Sequence, residues 1–149
     1  MNGFGYCVWW KICKEHPIVQ TSLHLCRVFN SPKVPLHISV RTRMSFIPSE
    51  LPYNDAIINA RLPIRVTSEY IPSWKKTLYA LELPVEQIYP LPRNPHVTLA
   101  YRLNKNFSKD EILLATNVLT SNKKWNIIRK VESAVYDVTS PTFQWIQVK

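Results

Sequence analysis

The chain has 149 residues and a mass of 17.4 kDa, enough for one domain with its own core. Its 46% hydrophobic content is globular, and no run approaches the ~20 consecutive apolar residues of a membrane helix. Nineteen Lys and Arg against ten Asp and Glu leave a net charge of +9, a surplus that favours phosphate-bearing partners but is spread from Lys11 to Lys149.

Through Trp10 no positive segment precedes the apolar residues, so the opening does not read as a secretory signal, and a cytoplasmic protein is expected. Tyr6–Ile12, rich in Val, Trp and Tyr, is the first predicted strand. Ile18, Val19, Leu23, Cys26 and Phe29 recur at helical spacing, which predicts an amphipathic helix over Pro17–Phe29 with Pro17 in its first turn. Cys7, Cys13 and Cys26 are odd in number and lack C-x-x-C spacing, which argues against a disulfide framework or a zinc knuckle. A second strand is predicted over Leu36–Thr42. From Phe46 to Trp74 four prolines break the pattern, and a short helix is expected around Asn54–Arg61. Leu78–Leu83 is a strand, the proline-rich loop Tyr89–Pro95 follows, and His96–Leu103 is the next strand. Ser108 and Glu111 form a capping box that opens a helix with Ile112, Ala115, Thr116 and Leu119 on one face. Ile127–Val138 and Phe143–Val148 are the last predicted strands. No glycine follows Gly5, so Gly-rich phosphate loops are excluded. The order reads as two related strand–helix–strand halves of one α+β domain, 1–149.

Two of these strands carry the same pattern: His37-Ile38-Ser39 after Pro35-Leu36, and His96-Val97-Thr98 after Pro95. Side chains alternate along a strand, so His37, Ser39, Arg41 and Arg43 are expected on one face. His96, Thr98, Ala100 and Arg102 share a face in the same way, with Val97, Leu99, Tyr101 and Leu103 on the apolar underside. A lone strand histidine is more often a packing residue. Two copies of imidazole beside hydroxyl point instead to acid–base chemistry on a phosphodiester. Histidine titrates near working pH and serves as base or acid. Ser39 and Thr98 hydroxyls can donate to the non-bridging oxygens as charge grows on them, and Arg41 or Arg102 can add stabilisation. Which histidine is the base is not readable from the order of residues. His16 and His24 lack such a context, and no ligand spacing suggests a metal.

Pro35–Val40 and Pro95–Tyr101, set in this order of elements, resemble the motifs of the two-histidine phosphoesterases. That superfamily includes LigT-like RNA esterases, cyclic phosphodiesterases of tRNA repair, viral 2′,5′-oligoadenylate phosphodiesterases and phage enzymes that destroy cyclic-nucleotide immune signals. Pro95–Tyr101 is the closer match; the first motif has Ser39 where threonine is commoner. The resemblance implies a bilobal α+β fold, with two antiparallel sheets, outer helices and a central cleft. It also implies His37 and His96 as catalytic acid and base, Ser39 and Thr98 on the phosphate, and neither metal nor cofactor. The substrates would be 2′,3′-cyclic phosphates or 2′,5′- or 3′,5′-linked nucleotides of RNA or signalling type. The short span between the motifs resembles the compact members, and the compact size with the near-absence of glycine and inserted loops points to a viral-type antagonist of nucleotide immune signalling, acting in the host cytoplasm.

A nucleotide or oligonucleotide is the expected partner, with no membrane and no obligate protein partner. Aromatic rings would stack its bases. Tyr6, Trp9, Trp74, Phe143 and Trp145 are the candidates, with Trp10 behind them; Trp74 stands out in the polar segment Ser73–Lys76. Glu132 is a weaker candidate for a base or ribose contact. The alternative is a non-catalytic RNA- or nucleotide-binding module that keeps the cleft without turnover.

Overall fold

A computed structural model describes residues 5–51, 57–86, 94–121 and 124–149. The elements are β1 (Tyr6–Ile12), α1 (Pro17–Val28), β2 (His37–Met44), β3 (Ile58–Asn59), β4 (Arg65–Ile71), β5 (Lys76–Pro84), β6 (His96–Leu103), α2 (Lys109–Thr120), β7 (Ile127–Ile128), β8 (Val131–Asp137) and β9 (Ile146–Gln147). It is an α+β fold with two antiparallel sheets. Seven strands run in the order β4-β5-β6-β2-β1-β8-β9, and β3 pairs with β7.

Both helices pack on one face of the large sheet. Ile18 and Leu25 of α1 and Ala115 and Leu119 of α2 meet Trp10, Ile38, Leu81, Leu83 and Val97 in one core. The start of α1 is capped by His16, whose Nδ1 accepts from the Ile18 amide at 3.1 Å while Nε2 donates to the Ile127 carbonyl at 2.6 Å. Ser108 and Glu111 close the capping box of α2 as expected.

Several boundaries differ from the pattern of the sequence. β4 is unexpected, because Arg65, Thr67, Ser68 and Glu69 give no apolar alternation; at the edge of a sheet a strand need not supply one. The helix expected at Asn54–Arg61 lies partly outside the described residues, and its described end is extended instead, forming β3 and a bridge at Ala60. Most of the loop Tyr89–Pro95 also lies outside them. The last predicted strand shrinks to Ile146–Gln147, and Ile127–Val138 divides into β7 and β8.

Two irregularities decide which side chains face which way. In the β5–β6 ladder Leu81 pairs with Ala100 but Glu82 pairs with Thr98, so Leu99 is an extra residue on β6. A bulge of this kind leaves a carbonyl outside the ladder. Here the Leu99 carbonyl takes Ser22 Oγ at 2.7 Å and Cys26 Sγ at 3.5 Å from α1. Beyond the bulge the alternation reverses. Tyr101 then joins the face of His96 and Thr98, and Arg102 turns to the helices. In the β1–β2 ladder Trp9 pairs with Ser39 but Val8 with Arg41, a second shift of the same type.

Candidate active site

The face of the large sheet away from the helices holds a cavity of about 550 Å³ lined by His37, Ser39, His96 and Thr98. β2 and β6 are antiparallel neighbours joined at Ile38–Val97. One step along that register on either side faces His37 with Thr98 and Ser39 with His96. The repeated motif therefore folds into a crossed pair, an imidazole of one strand beside a hydroxyl of the other.

Each imidazole is tethered in the same way. His37 Nδ1 lies 2.7 Å from the Pro35 carbonyl, and His96 Nδ1 lies 3.0 Å from the Asn94 carbonyl. A carbonyl only accepts, so Nδ1 carries the proton in both rings and the carbonyl two residues back fixes the orientation. The surroundings of the other nitrogen differ. His37 is buried and lies flat on Trp9, ring centroids 3.4 Å apart and planes within 6°, and Trp9 stacks in turn on Tyr136. Burial pushes the His37 imidazole down to about 3; the Pro35 hydrogen bond opposes this and the nearby His96 adds to it. His37 is thus neutral at working pH, and Nε2, with no hydrogen-bond partner among the described residues, keeps its lone pair.

His96 is more open, and its Nε2 lies 3.0 Å from Glu82 Oε2. Carbonyl on one side and carboxylate on the other are both acceptors, so each ring nitrogen of His96 faces an oxygen that can take a hydrogen bond. Glu82 is buried, and the edge strand β4 holds it there. Arg65 Nε donates to Oε1 at 3.2 Å and Thr67 Oγ1 to Oε2 at 2.9 Å. No pattern in the sequence marks Glu82, Arg65 and Thr67, because each is an isolated polar residue in its own segment. The one available signal is a glutamate inside the apolar run Leu81–Leu83.

The arginines are redistributed by the two bulges. Arg41 is exposed and outside the cavity, and Arg102 lies on the helix side. There Arg102 makes a two-pronged ion pair with Glu111 and sits over the rings of Phe29 and Phe107. The guanidinium holds the Glu111 carboxyl down at about 2. Arg43 takes their place. Its left-handed backbone (φ 58) brings it back to the cavity, paired with Glu69. Thr42, which strict alternation from His37 would put on the opposite face, also lines the cavity.

Among the expected stacking residues, Trp9 and Trp145 line the cavity, but Trp9 is already committed to His37. Trp74 is buried against Ile71 and Leu78, with its indole N–H on the Thr139 carbonyl, so the polar look of its segment misleads. Tyr6 and Phe143 lie outside this cavity, and Glu132 is exposed on β8. Tyr101, expected in the core, lines the cavity and hydrogen-bonds the Thr98 side chain; burial pushes its phenol up. Leu78, Ala80, Val138 and the Trp145 ring complete an apolar wall beside the polar groups.

Among the described residues no group of three His, Cys, Asp or Glu side chains gathers as a metal-holding set. No helix there is long and apolar enough to cross a membrane. No protein-family model matches the chain, and no curated protein matches its sequence.

Proposed function

We propose that this protein is a metal-independent phosphodiesterase of the two-histidine type. Its substrates are 2′,5′- or 3′,5′-linked or 2′,3′-cyclic phosphates of RNA-like or signalling nucleotides. The observation that carries the reading is the pair of Nδ1-tethered imidazoles on one cavity, one neutral with a bare Nε2 and one with acceptors at both nitrogens. Enzymes that need an acid and a base at one pH separate two like groups by environment in this way. The large sheet is joined across its middle at one bridge, with β4-β5-β6 on one side and β2-β1-β8-β9 on the other. That geometry supports the bilobal reading.

His37 is the base and His96 the acid. For an internal linkage, His37 Nε2 takes the proton of the neighbouring ribose hydroxyl, whose oxygen forms the new bond to phosphorus. The bond to the departing oxygen breaks as that oxygen receives the Nε2 proton of His96. The products are a cyclic phosphate and a free hydroxyl. With a 2′,3′-cyclic substrate, water replaces the hydroxyl and the ring opens. Ser39 and Thr98 donate to the non-bridging oxygens, Trp145 and the apolar wall receive the base, and Glu82 fixes the position of His96 Nε2 until substrate arrives.

The test is turnover of 2′,3′-cyclic nucleotides, 2′,5′-oligoadenylates and cyclic dinucleotides in excess chelator, with products identified by mass. Cleavage of at least one class that disappears in His96→Ala is the expected result. Binding without cleavage of any member would replace this reading with the non-catalytic module, and a strict need for added metal would overturn it.

A further inference from the structure

A second cavity of about 530 Å³ adjoins the first, with Tyr101 lining both. It lies at the end of the β5–β6 ladder, where Leu78 pairs with Leu103 and the Thr77 carbonyl accepts from the Asn104 amide. Lys76 and Lys105 flank that point and both line the cavity. Neither lysine has an ion-pair partner among the described residues. Arg102 is a third cation in the wall, but Glu111 satisfies it. No carboxylate among the described residues lines this cavity, whereas Glu69 and Glu82 line the first.

Two like charges at the end of one ladder repel each other unless an anion is shared between them. The rest of the wall suits a base. Phe143 is half-buried against Tyr101 and Trp145, ring centroids 5.5 and 5.3 Å away. It is held with a left-handed backbone (φ 61), an outlier for a bulky residue of the kind found at ligand clamps. Trp145 faces the first cavity and Phe143 the second, so an aromatic path joins the two. We infer that the second cavity binds the phosphate and base of a further nucleotide, so that the protein takes oligonucleotides more tightly than dinucleotides. This deepens the phosphodiesterase reading, but it is a statement about binding and stands apart from turnover.

The probes are fluorescein-labelled oligoadenylates of two and five nucleotides, with 2′-O-methyl riboses so that no neighbouring hydroxyl can attack. Affinity is read by anisotropy across a salt series for the intact protein and for the double variant Lys76→Ala/Lys105→Ala. Removing one lysine–phosphate pairing from a single-strand complex lowers the slope of log K against log salt by about 0.7. The expected result is a pentamer bound about tenfold more tightly than the dimer by the intact protein. In the variant that advantage disappears and the pentamer slope falls by about 0.7, the one phosphate that the two lysines share, while the dimer is unchanged. A pentamer bound alike by both proteins, an equal loss for both lengths, or no binding of the pentamer by the intact protein would overturn the inference. Length-dependent binding of these blocked probes by a protein that cleaves no member of the unblocked substrate panel would uphold it and sink the phosphodiesterase reading instead.

Discussion

His37 and His96 begin from the same local design: a strand histidine, a carbonyl two residues back on Nδ1, and a hydroxyl two residues on. Their surroundings then diverge. His37 is buried in the cavity wall, flat against Trp9, and stays neutral. His96 lies half-open beside a buried carboxylate that β4 clamps from the far edge of the sheet. One local pattern thus acquires two environments, because one ring meets aromatic carbon and the other meets a carboxylate.

Removing either ring is the strongest way to break this comparison. His96→Ala and His37→Gln are each expected to lower kcat by about 10²–10⁴-fold, measured on the best substrate of the panel, with the thermal melt of His96→Ala close to that of the parent. Neutralising the partner that distinguishes the two comes next. A charge-assisted hydrogen bond worth about 1.5–3 kcal/mol corresponds to a roughly 10- to 100-fold fall in kcat for Glu82→Gln. An unchanged kcat would show that Glu82 serves the fold alone.

The neutral state of His37 has its own signature in stability. Its folded value, about 3, lies below the ordinary 6.5, so the unfolded chain binds the proton more tightly. Stability from this group is complete above pH about 6.5 and declines as pH falls toward about 3, by up to ~1.4 kcal/mol per pH unit. Urea midpoints measured from about pH 4 to about pH 7 are expected to lose this slope in His37→Gln. Arg102→Ala is expected to cost about 1–3 kcal/mol of stability with kcat unaltered, since it serves the helices. Arg41→Ala, exposed and outside the cavity, is expected to change stability by less than about 0.5 kcal/mol and kcat by less than about twofold.

The sharpest contrast between sequence and structure lies in the two arginines. Strict alternation along β2 and β6 puts Arg41 and Arg102 beside the histidines and Tyr101 in the core. Each expectation fails at a bulge, because one extra residue reverses every side chain beyond it. Trp74 fails differently: its neighbours are polar, yet the indole packs on Ile71 and Leu78 across a turn.

What the residues determined alone is the local layer: the first strand, the two helices with the capping box of α2, and the His–apolar–hydroxyl pair on β2 and β6. Periodicity, capping and turn chemistry act over a few neighbours, so they can be read from a few neighbours. Only the tertiary structure decided that both histidines share one cavity, that Glu82, Arg65 and Thr67 stand behind His96, and that Trp9 stacks on His37. Those contacts join residues far apart in the chain. The burial and charge they impose are properties of the assembled sheet, which no single segment carries.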